Sequence, residues 1–141
     1  MTLAEATSAA HTTIRITGPD IGTDCRYAQA VDGPPGLAFM VVDGRIVRVD
    51  VWPSPPQPRP SPVATVSGAH VGSTEDQVKA LYPGRIKVTQ HPYLEKGHYL
   101  AYTPQDAAYR DFNLIFETDG ERVTSFRSGY ARNVGQVEGC A

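Results

Sequence analysis

Two stretches decide the fold: LAFMVVDGRIVRVDV at 37–51 and NLIFETDGERVTSFR at 113–127. Each sets an Asp-Gly pair, Asp43-Gly44 or Asp119-Gly120, between runs of apolar, β-branched and aromatic residues. Asp-Gly tolerates the positive φ that matches strand twist, so both stretches are predicted as antiparallel hairpins. The turns lie 76 positions apart, at 43 and 119. An offset of that size in a chain of 141 residues points to one unit present twice.

Helix-start chemistry repeats at nearly the same offset. Thr2 is followed by Glu5, and Thr74 by Gln77, three residues on in each case. Both are capping boxes, in which hydroxyl and side-chain carbonyl satisfy the orphan N–H groups of a helix N-terminus. In that register Ala6 matches Val78 and Ala9 matches Leu81, apolar positions on one helical face. One further strand is expected between helix and hairpin, near 24–30 (DCRYAQA) and 98–103 (HYLAYT). The predicted fold is α+β: two helix-plus-three-strand meanders forming one curved antiparallel sheet with the helices on one face. The units span 1–51 and 63–131, with a linker at 52–62 and a tail at 132–141. The first unit begins at its own helix, so an export signal is expected upstream of it.

The linker WPSPPQPRPSP has six prolines in eleven residues, which favours polyproline II. A stiff spacer is the blander use of it, and a ligand for an SH3-like groove the sharper one. Thirteen basic and fifteen acidic residues give a net charge of -2. The basic residues are scattered, which leaves no footprint for nucleic acid. The longest apolar run, Leu37 to Val42, is far too short to span a membrane.

Chemistry-bearing motifs are sparse. His91 and His98 bracket Glu95 in HPYLEKGH, but the spacing matches no familiar zinc chelate, and solvated turn histidines are expected. No Gly-x-Ser-x-Gly elbow or phosphate-cradling loop occurs. The expectation is a non-catalytic domain with neither cofactor nor metal. Cys25 and Cys140 are the only cysteines, and an even count in a small chain points to one disulfide between them, tying the tail back in an oxidising compartment. Two unrelated thiols are the alternative.

A capped helix followed by antiparallel strands, present twice, resembles the beta-lactamase inhibitory protein family. The residues carrying the likeness are VGSTEDQVKALY at 71–82, its shortened counterpart MTLAEA at 1–6, and the two Asp-Gly hairpins. The single unit also resembles the small lipoproteins of outer-membrane assembly. One cysteine pair per chain, rather than one per unit, sets this sequence apart. The resemblance implies a concave sheet face and hairpin tips that grip an enzyme, with Asp43 and Asp119 occupying a substrate-acid position. Tyr27, Tyr99, Tyr102 and Trp52 are the expected aromatic contacts, since tyrosine and tryptophan dominate interface hot spots. Strand parity puts Ala38, Met40 and Val42 under the helix, matched by Leu114, Phe116 and Thr118. The other face, with Phe39, Val41, Ile115 and Glu117, either binds a partner or is covered by the linker or tail.

The expected function is therefore protein binding by a monomer in the periplasm or outside the cell. Inhibition of a secreted or periplasmic hydrolase is its sharpest form. A structural envelope module and a small carbohydrate- or peptide-binding domain are the competing classes.

Overall fold

A computed structural model describes residues 1–18, 22–53 and 60–140. Most of the proline-rich linker, 54–59, lies outside the described residues. The protein is a mixed α/β domain built on one antiparallel sheet of eight strands. In chain order the elements are α1 (Leu3–Ala10), β1 (Ile14–Thr17), β2 (Cys25–Ala30), β3 (Leu37–Val42) and β4 (Arg45–Val51). They continue with α2 (Glu75–Leu81), β5 (Ile86–Gln90), β6 (His98–Tyr102), β7 (Phe112–Thr118), β8 (Val123–Tyr130) and α3 (Ala131–Val134). The strand order across the sheet is β1-β2-β3-β4-β8-β7-β6-β5.

Local chemistry explains the helix starts. Thr2 N–H donates to Glu5 Oε2 at 2.7 Å, and Glu5 N–H returns to Thr2 Oγ1 at 3.2 Å. Thr74 and Gln77 form the same reciprocal pair at 2.9 and 3.1 Å. Both hairpins turn where the Asp-Gly pairs stand. Asp43 (φ 50°) and Gly44 (φ 72°) close β3–β4 in two residues, as a primed turn requires. The β7–β8 loop is longer, and Asp119 Oδ1 accepts the N–H groups of Glu121 (2.9 Å) and Arg122 (2.8 Å).

Each of α1 and α2 is followed by four strands rather than the three expected. The additional ones are the edges, β1 and β5. An edge strand with one side open needs few apolar residues, so its alternation is faint. Ile14 is the only buried residue of β1, and β5 has none.

The two four-strand halves meet at the β4–β8 seam, with Arg48 opposite Gly129 and Val51 opposite Phe126. Glycine is needed at 129 because a Cβ there would collide with the Val47 carbonyl and the Arg48 backbone.

Helices α1 and α2 share one face of the sheet. Leu3 and Ala6 pack on Ile14, Ala28, Phe39 and Val41. Val78 and Tyr82 pack on Val51, Leu100, Phe116 and Phe126. The parity expected for the second hairpin is therefore observed, whereas that of the first is inverted. Phe39 and Val41 lie beneath α1, while Met40 pairs with Arg48, and Ala38 with Asp50, on the opposite face. In LAFMVV every residue is apolar, so the strand carries no period-two signal, and a one-residue offset changes its face. Both faces of β3 are in fact covered: Ala38, Met40 and Val41 are all buried.

The cover on the second face is the tail. It turns through α3, crosses the sheet and ends in a disulfide between Cys140 and Cys25 of β2, with a Cα–Cα distance of 5.3 Å. The helices are thus not all on one side, because α3 sits opposite α1 and α2. Among the described residues no helix is long and apolar enough to cross a membrane.

Candidate binding surface

Charged residues lie at the centre of the tail-covered face. Arg48 and Asp50, each 2% exposed, form an ion pair with Nε–Oδ2 and Nη2–Oδ1 distances of 2.9 Å. Arg48 Nη1 also donates to the carbonyls of Asn133 (3.0 Å) and Gln136 (2.6 Å), and Nη2 to the Tyr27 hydroxyl (2.8 Å). Arg127, opposite Asp50 across the seam, donates to the Val134 carbonyl and pairs with Glu117. Three tail carbonyls therefore accept hydrogen bonds from two buried guanidiniums, which would otherwise be costly to bury, while Arg127 Nη2 is buried without a hydrogen-bond partner among the described residues. Desolvation pushes the Asp50 carboxyl above the ordinary range, against the lowering pull of Arg48. These charges are engaged within the fold.

Tyr27 and Tyr99 belong to the same covered face. Burial first, then the nearby carboxylates Asp50 and Glu117 respectively, pushes both phenols up. The Tyr99 ring lies under the Arg127 guanidinium at 5.3 Å and edge-on to His91 at 4.7 Å. Trp52 meets Tyr27 edge-on at 5.5 Å and keeps part of its ring in solvent. Tyr102 is on the other face, with its ring 4.7 Å from Tyr82, the residue that caps the end of α2. The expected tyrosine strip is thus divided between two faces. Tyr99 and Tyr102 are three residues apart on one strand, an odd separation that sends their side chains to opposite sides.

The Asp-Gly tips do not converge either. Because β4 and β8 run antiparallel, Asp43 sits at one end of the sheet and Asp119 at the other. At about 3.3 Å per strand residue the tips are on the order of 35 Å apart. Asp119 has a local role, since the N–H groups of Arg122 and Glu121 lower its carboxyl pKa. Replacing Asp43 by Asn is expected to change stability by less than about 0.5 kcal/mol, because Asn also tolerates positive φ. Asp119→Ala is expected to cost about 1 kcal/mol through two lost backbone acceptances, with Asp119→Asn retaining most of it. A depressed carboxyl pKa stabilises the fold above its unfolded value, and that contribution disappears as pH falls through the folded value. Urea titrations at about pH 7 and pH 3 should therefore show a smaller acid loss for Asp119→Asn than for wild type.

The histidines also serve the fold. His91 Nδ1 accepts the N–H groups of Tyr93 (3.1 Å) and Leu94 (3.2 Å), tying down the β5–β6 loop. His98 Nδ1 lies 2.8 Å from Glu75 Oε1 at the start of α2. Among the described residues no group of three His, Cys, Asp or Glu side chains is placed to hold a metal ion.

Among the described residues, a cleft of about 470 Å³ opens on the helix-bearing face. Val49, Leu114 and Phe126 form its floor, Tyr82 and Tyr102 a wall, and Thr65–Ser67 its lip. The Tyr82 hydroxyl donates to Thr65 Oγ1 at 2.8 Å and fixes wall to lip. Val66 stands fully exposed on that lip. Leu114, expected beneath the helix, is half-buried at the cleft floor. The alternation Phe112/Leu114/Phe116 opposite Phe126/Ser128/Tyr130 is the sequence signal for this surface. No family model, curated protein or solved structure matches this chain.

Proposed function

We propose that this chain is a non-catalytic protein-binding domain of the periplasm or the extracellular space, and that its contact surface is the cleft beside α2. The observation that carries this reading is an apolar recess left open on a domain that closes its opposite face with its own tail. Recesses of a few hundred Å³ lined by aliphatic and aromatic side chains are where proteins seat ligands and partner segments. A fully exposed valine at the lip adds apolar surface that folding leaves in water. The disulfide supports an oxidising compartment.

Inhibition of a secreted or periplasmic hydrolase is the sharper version. Its support is the order of one capped helix followed by four antiparallel strands, present twice along the chain. We take the two halves as copies of one unit. The gripping surface then differs from the concave face that the resemblance implies, because the tail occupies the face opposite α1 and α2.

The test is capture from an envelope extract with the oxidised wild-type chain and with Val66→Glu. Val66 makes no core contact, so the substitution should leave the thermal midpoint unchanged while putting a charge at the cleft mouth. Loss of the captured protein with Val66→Glu is the expected result, and equal capture by both chains would place the contact elsewhere. Assaying the captured protein for hydrolysis with and without this chain then separates an inhibitor from a scaffold.

A further inference from the structure

The floor of the cleft continues to one end of the sheet. Phe112 lines the cleft and stacks on its cross-strand partner Tyr130, with centroids 4.6 Å apart and planes at 28°. The Arg132 guanidinium lies over the Tyr130 ring at 5.5 Å. Arg110 joins Arg132 and Tyr130 around a second recess of about 440 Å³ directly beyond, with Asp111 the one acidic side chain lining it. On the other wall Arg85 lies over Tyr102 at 5.8 Å. Neither Arg110 nor Arg132 forms an ion pair with any described residue. The apolar floor thus leads into an exposed cationic end.

We infer that the cleft takes a protein segment whose apolar side chains are followed by carboxylates, the carboxylates docking on Arg110 and Arg132. This rests on the cleft being the binding surface and goes further by naming the partner's chemistry. Three physical points favour that occupant. Guanidinium forks match carboxylates with two parallel hydrogen bonds. The Phe112–Tyr130 stack and the cation–π contact hold Arg132 in place, so less side-chain freedom is lost on binding. Arginine beside exposed tyrosine is also the composition of interface hot spots, and Tyr109 and Tyr130 both reach solvent at this end.

The experiment uses three short fluorescent peptides with one common apolar core, flanked on its C-terminal side by Asp, Gln or Lys. Anisotropy titrations are run against the oxidised wild-type chain, the Arg110→Gln/Arg132→Gln double variant and Val66→Glu. The Asp peptide is expected to bind at least about tenfold more tightly than the Gln peptide, with the Lys peptide weakest and the preference shrinking in high salt. The double variant should bind the Asp peptide no better than the Gln peptide while leaving the Gln peptide's affinity unchanged. Equal binding of the Asp and Gln peptides, or a preference that survives the double variant, overturns the acidic partner and leaves the cleft standing. Binding that ignores Val66→Glu, or no binding of any peptide, overturns the cleft and this inference together.

Discussion

Cys140→Ser is expected to lower the free energy of unfolding by about 4 kcal/mol. The bond joins residues 115 positions apart, and in the loop-closure account the restriction on the unfolded chain grows with loop length. The native state loses as well. Without the bond to Cys25, the tail that supplies the Asn133, Val134 and Gln136 carbonyls to two buried arginines is held by those hydrogen bonds and its packing alone. The thermal midpoint should fall by on the order of 10–15 °C, read by circular dichroism with and without reductant. Wild type under reductant should match the Cys140→Ser chain. Two reactive thiols per folded, unreduced wild-type chain, or a midpoint indifferent to reductant, would refute the pairing.

The second large effect belongs to Arg48. Arg48→Met should cost about 3–5 kcal/mol, because it leaves Asp50 buried without its partner. It also removes the donor to two tail carbonyls and to Tyr27. Asp50→Leu added to Arg48→Met should recover a large share of the loss, since matched apolar groups replace a buried ion pair at little cost. The unpaired carbonyls of Asn133 and Gln136 keep the recovery incomplete.

The sign of the pH response follows from the raised Asp50 pKa, caused chiefly by desolvation and opposed by Arg48. A carboxyl raised on folding favours the fold most when protonated, below its unfolded pKa. That contribution is lost as pH rises through the folded value. Removing Arg48 takes away the opposing influence and raises the pKa further. Arg48→Met should therefore approach wild-type stability as pH is lowered through the range between the two values. Denaturant midpoints across that range test it, and a gap that widens in acid would contradict the account.

Much of the local architecture was legible in the sequence. Capping boxes at Thr2/Glu5 and Thr74/Gln77 and primed-turn chemistry at Asp43-Gly44 involve residues within three positions of each other, so nearest-neighbour physics suffices. The edge strands β1 and β5 were not legible, because they bury almost nothing and their order comes from the strand beside them. The candidate surface was only partly readable. The apolar alternation at Leu114 and Phe116 was visible, but not that α2 stops short of covering it.

The sequence by itself determined two capped helices, two Asp-Gly hairpins, a single pair of cysteines and the lack of a long apolar run. Only the tertiary structure decided which face each residue of LAFMVV takes, that the tail closes the sheet over Arg48 and Asp50, and that Asp43 and Asp119 end far apart. The difference is one of range. Caps and turns are set by bonds between near neighbours, whereas facing and cover depend on chain segments that meet only when the sheet assembles. For β3, apolar at every position, burial on both sides removed the one sequence signal that distinguishes the faces of a strand.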